Sequence, residues 1–279
     1  MSHALAARAA ARALGLDAAT VTGVTDIKHG LTNRSWLVHV GGEALVVRLS
    51  DAAEDALQID RASEARILSA VAAAGIGPCV LQCDPDRHIL ITRYLGPTWS
   101  FDEASEARNI ERLAALLRRL HRLAPPACVR RIDLAATVDG YLHTLDEHAA
   151  AGALALRRLR DRARQVADGL HRDATARLCH NDVHHLNVVE GSGTDTLRLI
   201  DWEYAGIGEP MFDLASACVY HRHDPAGRQR LLASYLGSGD LGGGGLGSVD
   251  AAAWDRLELA CWLFEYVRDL WTAVRELAA

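Results

Sequence analysis

The first third of the chain combines short apolar runs with turn residues and one long helical pattern. An alanine-rich helical pattern covers residues 4–14. Gly41 and Gly42 separate two β-rich runs, and a Gly-Gly pair in that position is typical of a tight hairpin turn. Apolar residues at helical spacing predict a helix over 58–74, which the following glycines and Pro78 end. Short apolar runs predict strands over residues 21–28, 35–40, 44–49, 80–81 and 88–91.

From Asp102 onward the pattern is mostly helical. A helix over 103–123 repeats apolar residues on one face, and Pro125 stops it. Two β-rich runs interrupt the helical pattern at 188–190 and 196–200, and the segment between them has turn residues, so a hairpin is expected. Further helices are predicted near residues 137–149, 153–171, 210–221, 225–236 and 250–277.

This order of elements predicts an α+β fold in two parts. We place the boundary near residues 94–97. A small β-rich N-terminal lobe with one long helix would cover 1–95, and a larger, mostly helical C-terminal lobe would cover 96–279. A chain of 279 residues can bury a large core and suits one two-lobed domain or two small ones. The sequence does not determine the oligomeric state.

Charge and composition restrict the classes of partner. The net charge is −6 at pH 7, and no patch of Lys and Arg indicates a nucleic-acid partner. The arginine-rich stretch 157–164 lies in a helical pattern and predicts a solvated helix face. No apolar stretch is long enough to span a bilayer, and the N-terminus lacks the apolar core of a signal peptide. We therefore expect a soluble cytoplasmic protein with neither a nucleic-acid nor a membrane partner.

The cysteines and a glycine-rich segment suggest no chemistry of their own. The 6 cysteines lie mostly in apolar stretches without zinc-binding spacing, so buried reduced thiols are expected. The glycine-rich segment over 237–248 lacks the Lys-Ser/Thr of a phosphate-binding P-loop, and no strand precedes it. We interpret it as a surface loop.

Three polar residues in the C-terminal half form the most informative motif. Asp182 is followed five residues later by Asn187, and Asp201 comes after the predicted hairpin. This order is typical of enzymes in which one Asp orients a substrate hydroxyl while the Asn and second Asp hold magnesium on a triphosphate. A hairpin centred near Thr194 places Asn187 roughly opposite Asp201, and cross-strand neighbours have Cβ atoms about 4.5–5.5 Å apart. Two oxygen ligands at that separation suit one magnesium ion.

Two other interpretations of this segment stay open. Asp182 and Asn187, taken singly, are also typical of loops and helix caps. A zinc site is the second, because His180, His184 and His185 cluster and the first two have the i,i+4 spacing of metal-binding histidines on a helix. Against zinc, the local sequence predicts a loop leading into a strand, and no cysteine pair joins the histidines.

With these motifs the chain resembles the aminoglycoside phosphotransferase and choline kinase-like superfamily of small-molecule kinases. The segments 178–182 and 199–206 are most similar to bacterial choline and thiamine kinases, and 30–35 is similar to their nucleotide-binding loop. The resemblance implies a bilobal protein-kinase-like fold. It also implies ATP and Mg²⁺ as cofactors and transfer of the γ-phosphate to a hydroxyl of a small molecule.

The resemblance further assigns roles to single residues. Asp182 would be the catalytic base or hydroxyl-orienting group, and Asn187 and Asp201 would be the magnesium ligands. Arg48 lies where these enzymes place the basic residue that binds phosphate, and Glu64 would pair with it and hold it in place. The remaining nucleotide contacts would come from Gly30, Thr32, Asn33, Ser35, Tyr94 and Leu95.

The acceptor is expected to be a small cationic alcohol such as choline, ethanolamine or thiamine. A fixed positive charge is bound by aromatic faces and carboxylates, and aromatic residues concentrate where this fold places its acceptor pocket. We therefore predict acceptor contacts from Glu203, Tyr204, Trp262 and Tyr266, of which the last two share a helix face at i,i+4. Asp213 resembles the structural Asp that braces the catalytic loop in this family, and a plain helix cap is the alternative.

Other activities remain as alternatives. A nucleotide-binding protein without turnover is disfavoured by the intact set of Asp182, Asn187 and Asp201. A protein kinase is disfavoured because the chain has no Asp-Phe-Gly or Ala-Pro-Glu segment. An aminoglycoside O-phosphotransferase would need a wider and more acidic pocket, for which the candidate residues are Glu203, Glu209, Glu258, Glu265 and Asp269.

Overall fold

The N-terminal lobe is built on one antiparallel sheet. The structure is a computed structural model that describes residues 3–27, 33–50, 54–148, 154–172, 175–191, 196–237 and 249–278. Its five-stranded sheet has the order β1-β2-β3-β5-β4, the hairpin predicted at Gly41 and Gly42 is present, and β4 and β5 form a second antiparallel pair. In the β2–β3 turn, Gly41 and Gly42 have φ values of 58° and 82°, which glycine adopts without strain. The strands are β1 (Val21–Ile27), β2 (Asn33–Val40), β3 (Glu43–Ser50), β4 (Val80–Asp84) and β5 (Ile89–Arg93).

Two helices pack on this sheet and belong to different hydrophobic clusters. The alanine-rich α1 (His3–Ala13) packs against the sheet face that carries Trp36. Because side chains alternate along a strand, β3 directs Val47 to that face and Arg48 to the opposite one. The second helix, α2 (Arg61–Ala73), contributes to a cluster shared with the C-terminal lobe. The sheet therefore presents Arg48 toward the C-terminal lobe.

The C-terminal lobe is mostly helical, as predicted, but several helix ends differ. In the N-terminal lobe as well, the helix predicted from residue 58 begins only at Arg61, because Asp60 caps it by accepting a hydrogen bond from the Ser63 amide. The helix predicted over 103–123 is broken by the extended backbone of Glu106. The helices are α3 (Phe101–Ser105), α4 (Ala107–His121), α5 (Leu134–Glu147), α6 (Leu154–Arg157), α7 (Arg160–Arg172), α8 (Pro210–Tyr220), α9 (Pro225–Leu236) and α10 (Ala251–Ala278).

Two short strand pairs in this lobe carry the central motif. The predicted hairpin is formed by β7 (Val188–Glu190) and β8 (Leu197–Leu199), while the turn residues 192–195 lie outside the described part. The sequence did not predict the second pair, β6 (Arg177–Cys179) with β9 (Gly206–Gly208). Together the two pairs place the segments around 180–187 and 200–205 side by side, and the predicted α+β two-lobed fold is confirmed.

The remaining composition-based expectations have mixed outcomes. Cys179, Cys218 and Cys261 are buried, but Cys79 and Cys128 are exposed because they lie in connecting segments, which corrects the expectation of buried thiols. Among the described helices none is long and apolar enough to cross a membrane. The glycine-rich residues 238–248 lie outside the described part of the chain.

Candidate active site

A buried carboxylate holds the loop that carries Asp182. Asp213 in α8 accepts hydrogen bonds from the backbone amides of His180 at 2.9 Å and Asn181 at 2.6 Å. Nε2 of His121 lies 2.9 Å from the same carboxylate, which is fully buried. Asn181 has a φ of 66°, a left-handed conformation that Asn tolerates better than most residues. Asp213 therefore braces the loop that carries Asp182.

Three side chains converge on the carboxylate of Asp182. Nδ2 of Asn187 donates to it at 3.0 Å, Nε2 of His184 lies 3.4 Å away, and the Tyr220 hydroxyl forms a further hydrogen bond. Burial alone would raise the pKa of Asp182, but the charge and hydrogen bond of His184, with Tyr220, bring it below its usual range. Asp182 is thus held as an oriented anion at neutral pH.

The histidines of this loop serve the backbone and Asp182. His180 is fully buried, with Nε2 3.0 Å from the Ile200 carbonyl oxygen and Nδ1 3.3 Å from the Asp182 amide. Burial lowers its pKa, which favours the neutral ring that both contacts require. His184 faces Asp182. Within the described residues, the single group of three side chains spaced like metal ligands is His121, Cys179 and Asp213, so the zinc interpretation of the loop histidines is not supported.

Asn187 and Asp201 meet across the hairpin with a register one residue from the prediction. Val188 pairs with Leu199, and the Ile200 amide donates to the Asn187 carbonyl at 3.0 Å, so Asn187 lies opposite Ile200. Asp201 follows with a φ of 63°, which turns its side chain out of the strand direction and toward the cavity between the lobes. Because Nδ2 of Asn187 is used by Asp182, its Oδ1 remains as an oxygen ligand.

The charges around Asp201 fit a divalent cation. Arg48 donates to Asp201 at 3.2 Å, but burial and the charge of Glu203 still raise the pKa of Asp201 to about 7. Glu203, Glu64 and Asp182 thus place further negative charge beside Asp201, in addition to the effect of burial. Oxygen ligands and uncompensated carboxylate charge are what Mg²⁺ requires, so Asn187 and Asp201 could hold such an ion.

Arg48 and Glu64 form the predicted ion pair. Nη1 and Nη2 of Arg48 donate to the two carboxylate oxygens of Glu64, both at 2.7 Å, in a bidentate pair. Both side chains are buried. Although burial opposes ionisation of each, their mutual attraction raises the pKa of Arg48 and, together with Arg61, lowers that of Glu64. The pair orients the Arg48 guanidinium toward Asp201.

A cavity of about 1100 Å³ lies between the two lobes. Single-ligand pockets usually measure about 300–1,000 Å³, so this one can hold a nucleotide and a small second substrate. One wall is aromatic: Trp271 donates to the Tyr204 hydroxyl at 2.7 Å, and Tyr220 packs against Phe264 with ring centroids 5.3 Å apart. The predicted site residues that line the cavity are Asn33, Ser35, Arg48, Tyr94, Leu95, Asp182, Asn187, Asp201, Glu203 and Tyr204.

The structure places two predicted acceptor residues elsewhere, which corrects that assignment. Trp262 and Tyr266 stack on each other with parallel rings 5.9 Å apart, Arg162 lies over Trp262, and the Tyr266 hydroxyl donates to the Leu156 carbonyl. They face α6 and α7, because α10 turns a different side to the cavity. Glu64 lies behind Arg48 and does not line the cavity, while Gly30 and Thr32 fall in residues 28–32, outside the described part of the chain.

Several site residues were missed by the sequence reasoning. From α10, Phe264 and Trp271 reach the cavity, and from α8, Tyr220 does. A signal existed in α8: Asp213, Ser216 and Tyr220 have i, i+3, i+7 spacing and all contact the catalytic loop. Arg130 was also missed. It is a half-buried side chain that donates to the carbonyl oxygens of Glu203 and Ala205 at 3.2 and 3.0 Å.

Comparison with known proteins identifies the class. A family model described as the phosphotransferase enzyme family matches residues 23–258, so the chain belongs to this family. This confirms the predicted phosphotransferase with an alcohol group as acceptor.

Among curated relatives, the chain is similar to protein LicA of Haemophilus influenzae, at 28% identity over 192 residues. The match covers 67% of this chain but only 55% of that protein.

Solved structures share the fold. The choline kinase LicA from Streptococcus pneumoniae superposes with a TM-score of 0.80 at 18% identity, covering 98% of this chain and 90% of that one. A second LicA structure, in complex with AMP, superposes with a TM-score of 0.74 at 19% identity. The match covers 93% of this chain and 85% of that one. An aminoglycoside-3′-phosphotransferase of type VIII superposes with a TM-score of 0.59 at 22% identity, and the match covers 96% of this chain and 100% of that one. At these identities the likeness shows the fold alone.

Proposed function

We propose that this protein is a magnesium-dependent kinase that transfers the γ-phosphate of ATP to the hydroxyl of a small cationic alcohol. The observation that carries the proposal is the convergence of Asp182, Asn187, Asp201 and Arg48 on one cavity with an aromatic wall. The N-terminal lobe, taken as residues 1–95, would bind the nucleotide. The C-terminal lobe, taken as residues 96–279, would supply catalysis and the acceptor pocket.

In this proposal the nucleotide lies between β3 and the Asp201 segment. Arg48 would contact phosphate oxygens through its planar guanidinium, oriented by Glu64. Tyr94 and Leu95 line the cavity beside the last strand of the sheet, where they would contact the adenine. Asn187 and Asp201 would hold Mg²⁺, which neutralises phosphate charge when bound. Gly30, Thr32, Asn33 and Ser35 would complete the phosphate contacts. The AMP complex of a LicA structure with the same fold supports nucleotide binding.

Asp182 would act on the acceptor. Its carboxylate accepts a hydrogen bond from the acceptor hydroxyl and aims the oxygen at the γ-phosphorus. The bond from the γ-phosphorus to the β–γ bridging oxygen then breaks as the new P–O bond forms, and the hydroxyl proton would pass to Asp182 and from there to solvent. Since His184, Asn187 and Tyr220 already hold Asp182 as an anion, orientation is its main contribution. The products would be ADP and a phosphomonoester.

The aromatic wall supports a cationic acceptor. Tyr204, Tyr220, Phe264 and Trp271 line the cavity on the same side as Asp182. Aromatic faces bind ammonium groups at roughly 0.5–2 kcal/mol per contact, and buried carboxylate charge nearby adds to the attraction. The name of the Streptococcus pneumoniae choline kinase LicA, which has the same fold, points the same way. Choline, ethanolamine and thiamine are the candidate acceptors.

The site favours this acceptor class over an aminoglycoside. Of the five carboxylates considered for a more acidic pocket, only Glu203 lines the cavity. Glu209 is held by Arg256 at 2.8 Å and Glu258 by Arg228 at 2.9 Å, and both lie outside the cavity wall. A wide polycationic sugar would therefore meet only one of those five carboxylates in the cavity, while Asp60 and Asp133, which also line it, cap helices.

An acceptor screen tests the proposal. ADP release from Mg-ATP would be measured with choline, ethanolamine, thiamine, an aminoglycoside and several sugars. We expect release to depend on one of the three cationic alcohols. Release that depends only on the aminoglycoside would favour the resistance enzyme. A folded protein that binds ATP but releases no ADP with any acceptor would favour a nucleotide-binding protein without turnover.

A further inference from the structure

The buried guanidinium of Arg61 contacts three separate segments around the proposed nucleotide site. Arg61 begins α2 and is 8% exposed. Its Nε donates to Glu54 at 2.6 Å, Nη1 donates to Glu64 at 2.8 Å and lies 3.0 Å from Glu203, and Nη2 donates to Oδ1 of Asn33 at 2.9 Å. Asn33 in turn donates to Glu203 at 2.7 Å. The four partners come from different parts of the sequence.

Three of these four contacts, those with Asn33, Glu64 and Glu203, lie beside groups proposed to hold the triphosphate. Asn33 starts β2, directly after the proposed phosphate loop at 30–32. Glu64 is the partner that orients Arg48. Glu203 follows the proposed magnesium ligand Asp201 by two residues. A planar guanidinium with donors in several directions can serve three such partners at once, which a lysine ammonium on its flexible stem does less well.

The buried carboxylates of Glu64 and Glu203 give a second reason for these contacts of Arg61. Glu64 and Glu203 are 2% and 3% exposed, so water does little to stabilise their carboxylates. Arg48 and Arg61 both contact Glu64. Of these two arginines, only Arg61 lies within 4.0 Å of Glu203. Loss of one partner from a buried ion pair leaves an uncompensated charge. Without Arg61, Glu64 and Glu203 would each lose one charged partner beside the proposed phosphate and metal site.

We propose that Arg61 is a positioning residue that sets the affinity for the magnesium–nucleotide complex. It holds Asn33 at the end of the phosphate loop and Glu203 at the metal-binding segment, and so fixes the distance between them. It does not line the cavity and does not contact the acceptor wall. This inference rests on the proposed function, and it concerns nucleotide binding only.

Direct binding of Mg-ADP and Mg-ATP by calorimetry tests the inference without any acceptor. We would compare wild type, Arg61→Gln, Arg61→Lys and the exposed control Arg66→Gln, which lies on the same helix. We expect nucleotide affinity to fall about tenfold in Arg61→Gln and less in Arg61→Lys, with about wild-type affinity in Arg66→Gln. The KM for the acceptor should stay within about twofold in all variants.

A second readout separates positioning from general stability. Arg61→Lys and Glu203→Gln weaken the same contact, so their effects on nucleotide affinity should be less than additive in a double-mutant cycle. Additive effects, or equal loss of nucleotide and acceptor binding together with a lower Tm, would overturn the inference. If Arg61→Gln does not fold, unchanged nucleotide affinity in Arg61→Lys would overturn it. Absence of nucleotide binding by the wild type would instead refute the proposed function.

Discussion

Asp182 accepts hydrogen bonds from side chains of three kinds: an amide, an imidazole and a phenol. These donors keep its pKa below the usual range despite burial, so the carboxylate is a weak base at neutral pH. Asp182 would therefore contribute to catalysis mainly by orienting the acceptor hydroxyl, and less by its affinity for the proton. The charge of Asp182 in turn raises the pKa of His184, although burial opposes this rise, and burial together with the charge of Asp182 raises the pKa of Tyr220.

Replacement of Asp182 by Asn should remove the anion and keep the shape. We expect kcat to fall by about 10²–10⁴-fold, because general acid–base or orienting groups contribute on that scale. Nucleotide affinity should stay near the wild-type value, as Asp182 faces the acceptor. Steady-state kinetics together with calorimetry would check this, with the exposed Asp102→Asn as control. Full activity in Asp182→Asn would show that another residue orients the hydroxyl.

Two buried histidines should make stability fall at mildly acidic pH. Burial and neighbouring histidines lower the pKa of His221 to about 3, and burial lowers that of His223 to about 4. In the unfolded chain both would titrate near about 6.5. Their stabilising effect is complete above that value and is lost as pH falls toward 4, because only the unfolded state gains protons there. At pH 5 the lowered pKa of each histidine reduces the free energy of unfolding by up to about 2 kcal/mol, compared with neutral pH.

Thermal unfolding between pH 7.5 and pH 5 measures this effect. His223→Gln should show a smaller drop in Tm over this range than the wild type. The exposed His143→Gln should follow the wild type, since His143 is 73% exposed in its side chain. A drop that is the same in His223→Gln and wild type would contradict the assignment.

Helix faces decide which side chains enter the site. In α8, the i, i+3, i+7 positions 213, 216 and 220 contact the catalytic loop. In α10, Phe264 and Trp271 face the cavity, while Trp262 and Tyr266 pack against α6 and α7. The i,i+4 rule placed Trp262 and Tyr266 on a common face correctly, but it could not tell which face α10 turns to the cavity.

Two of the three tryptophans of α10, Trp262 and Trp271, should therefore separate acceptor binding from packing. Trp271→Ala should raise the KM for a cationic acceptor by about 3–30-fold, because it removes one aromatic contact and the hydrogen bond to Tyr204. Trp262→Ala should lower Tm and leave that KM near the wild-type value. Acceptor kinetics and thermal melts on both variants check the assignment. A raised acceptor KM in Trp262→Ala but not in Trp271→Ala would instead support the sequence-based prediction that Trp262 contacts the acceptor.

The sequence predicted elements with strong periodicity and missed those set by tertiary contacts. The five strands of the sheet and the hairpin after Asn187 follow from alternation and turn residues. The hairpin register was one residue off, since the turn at 192–195 does not fix it by composition. The strand β9 was missed because Gly206 and Gly208 read as loop. A Cβ at Gly206 would lie 2.8 Å from Ile132, so close packing requires glycine there.

The site residues also divide into those that the sequence predicted and those that depend on tertiary contacts. Asp182, Asn187 and Asp201 were predicted from motif spacing and Arg48 from the family resemblance, and all four line the cavity. Tyr220 and Arg61 carry no motif, and their contacts arise only when α8 and α2 pack beside the catalytic loop and the sheet. Such contacts join residues far apart in sequence, and spacing rules do not reach them.

At the scale of the whole molecule, buried ion pairs join the lobes. Arg48 from the sheet contacts Asp201, and Arg61 from α2 contacts Glu203. The N-terminal lobe is thus tied to the segment that would bind the metal. Nucleotide and metal would add further bonds across the same cavity, so ligand binding should stabilise the protein as a unit.

Mg-ADP should raise the Tm, and removal of the metal should cancel the rise. At a concentration about 100 times the dissociation constant, a ligand adds about 2.7 kcal/mol, which corresponds to roughly 5–10 °C for a chain of this size. ADP with EDTA should give a much smaller shift, and Asp201→Asn should lose most of the magnesium-dependent part. A metal-independent shift of the same size would contradict magnesium binding by Asn187 and Asp201.

The measurement that tests the central claim most directly is identification of the product. The protein would be incubated with Mg-ATP and choline, ethanolamine or thiamine, and ³¹P NMR would follow the phosphorus species. We predict a phosphomonoester of one of these alcohols and ADP in equal amounts, and neither with Asp182→Ala. Intact ATP with every acceptor, or ADP with inorganic phosphate and no phosphomonoester, would contradict the proposed kinase.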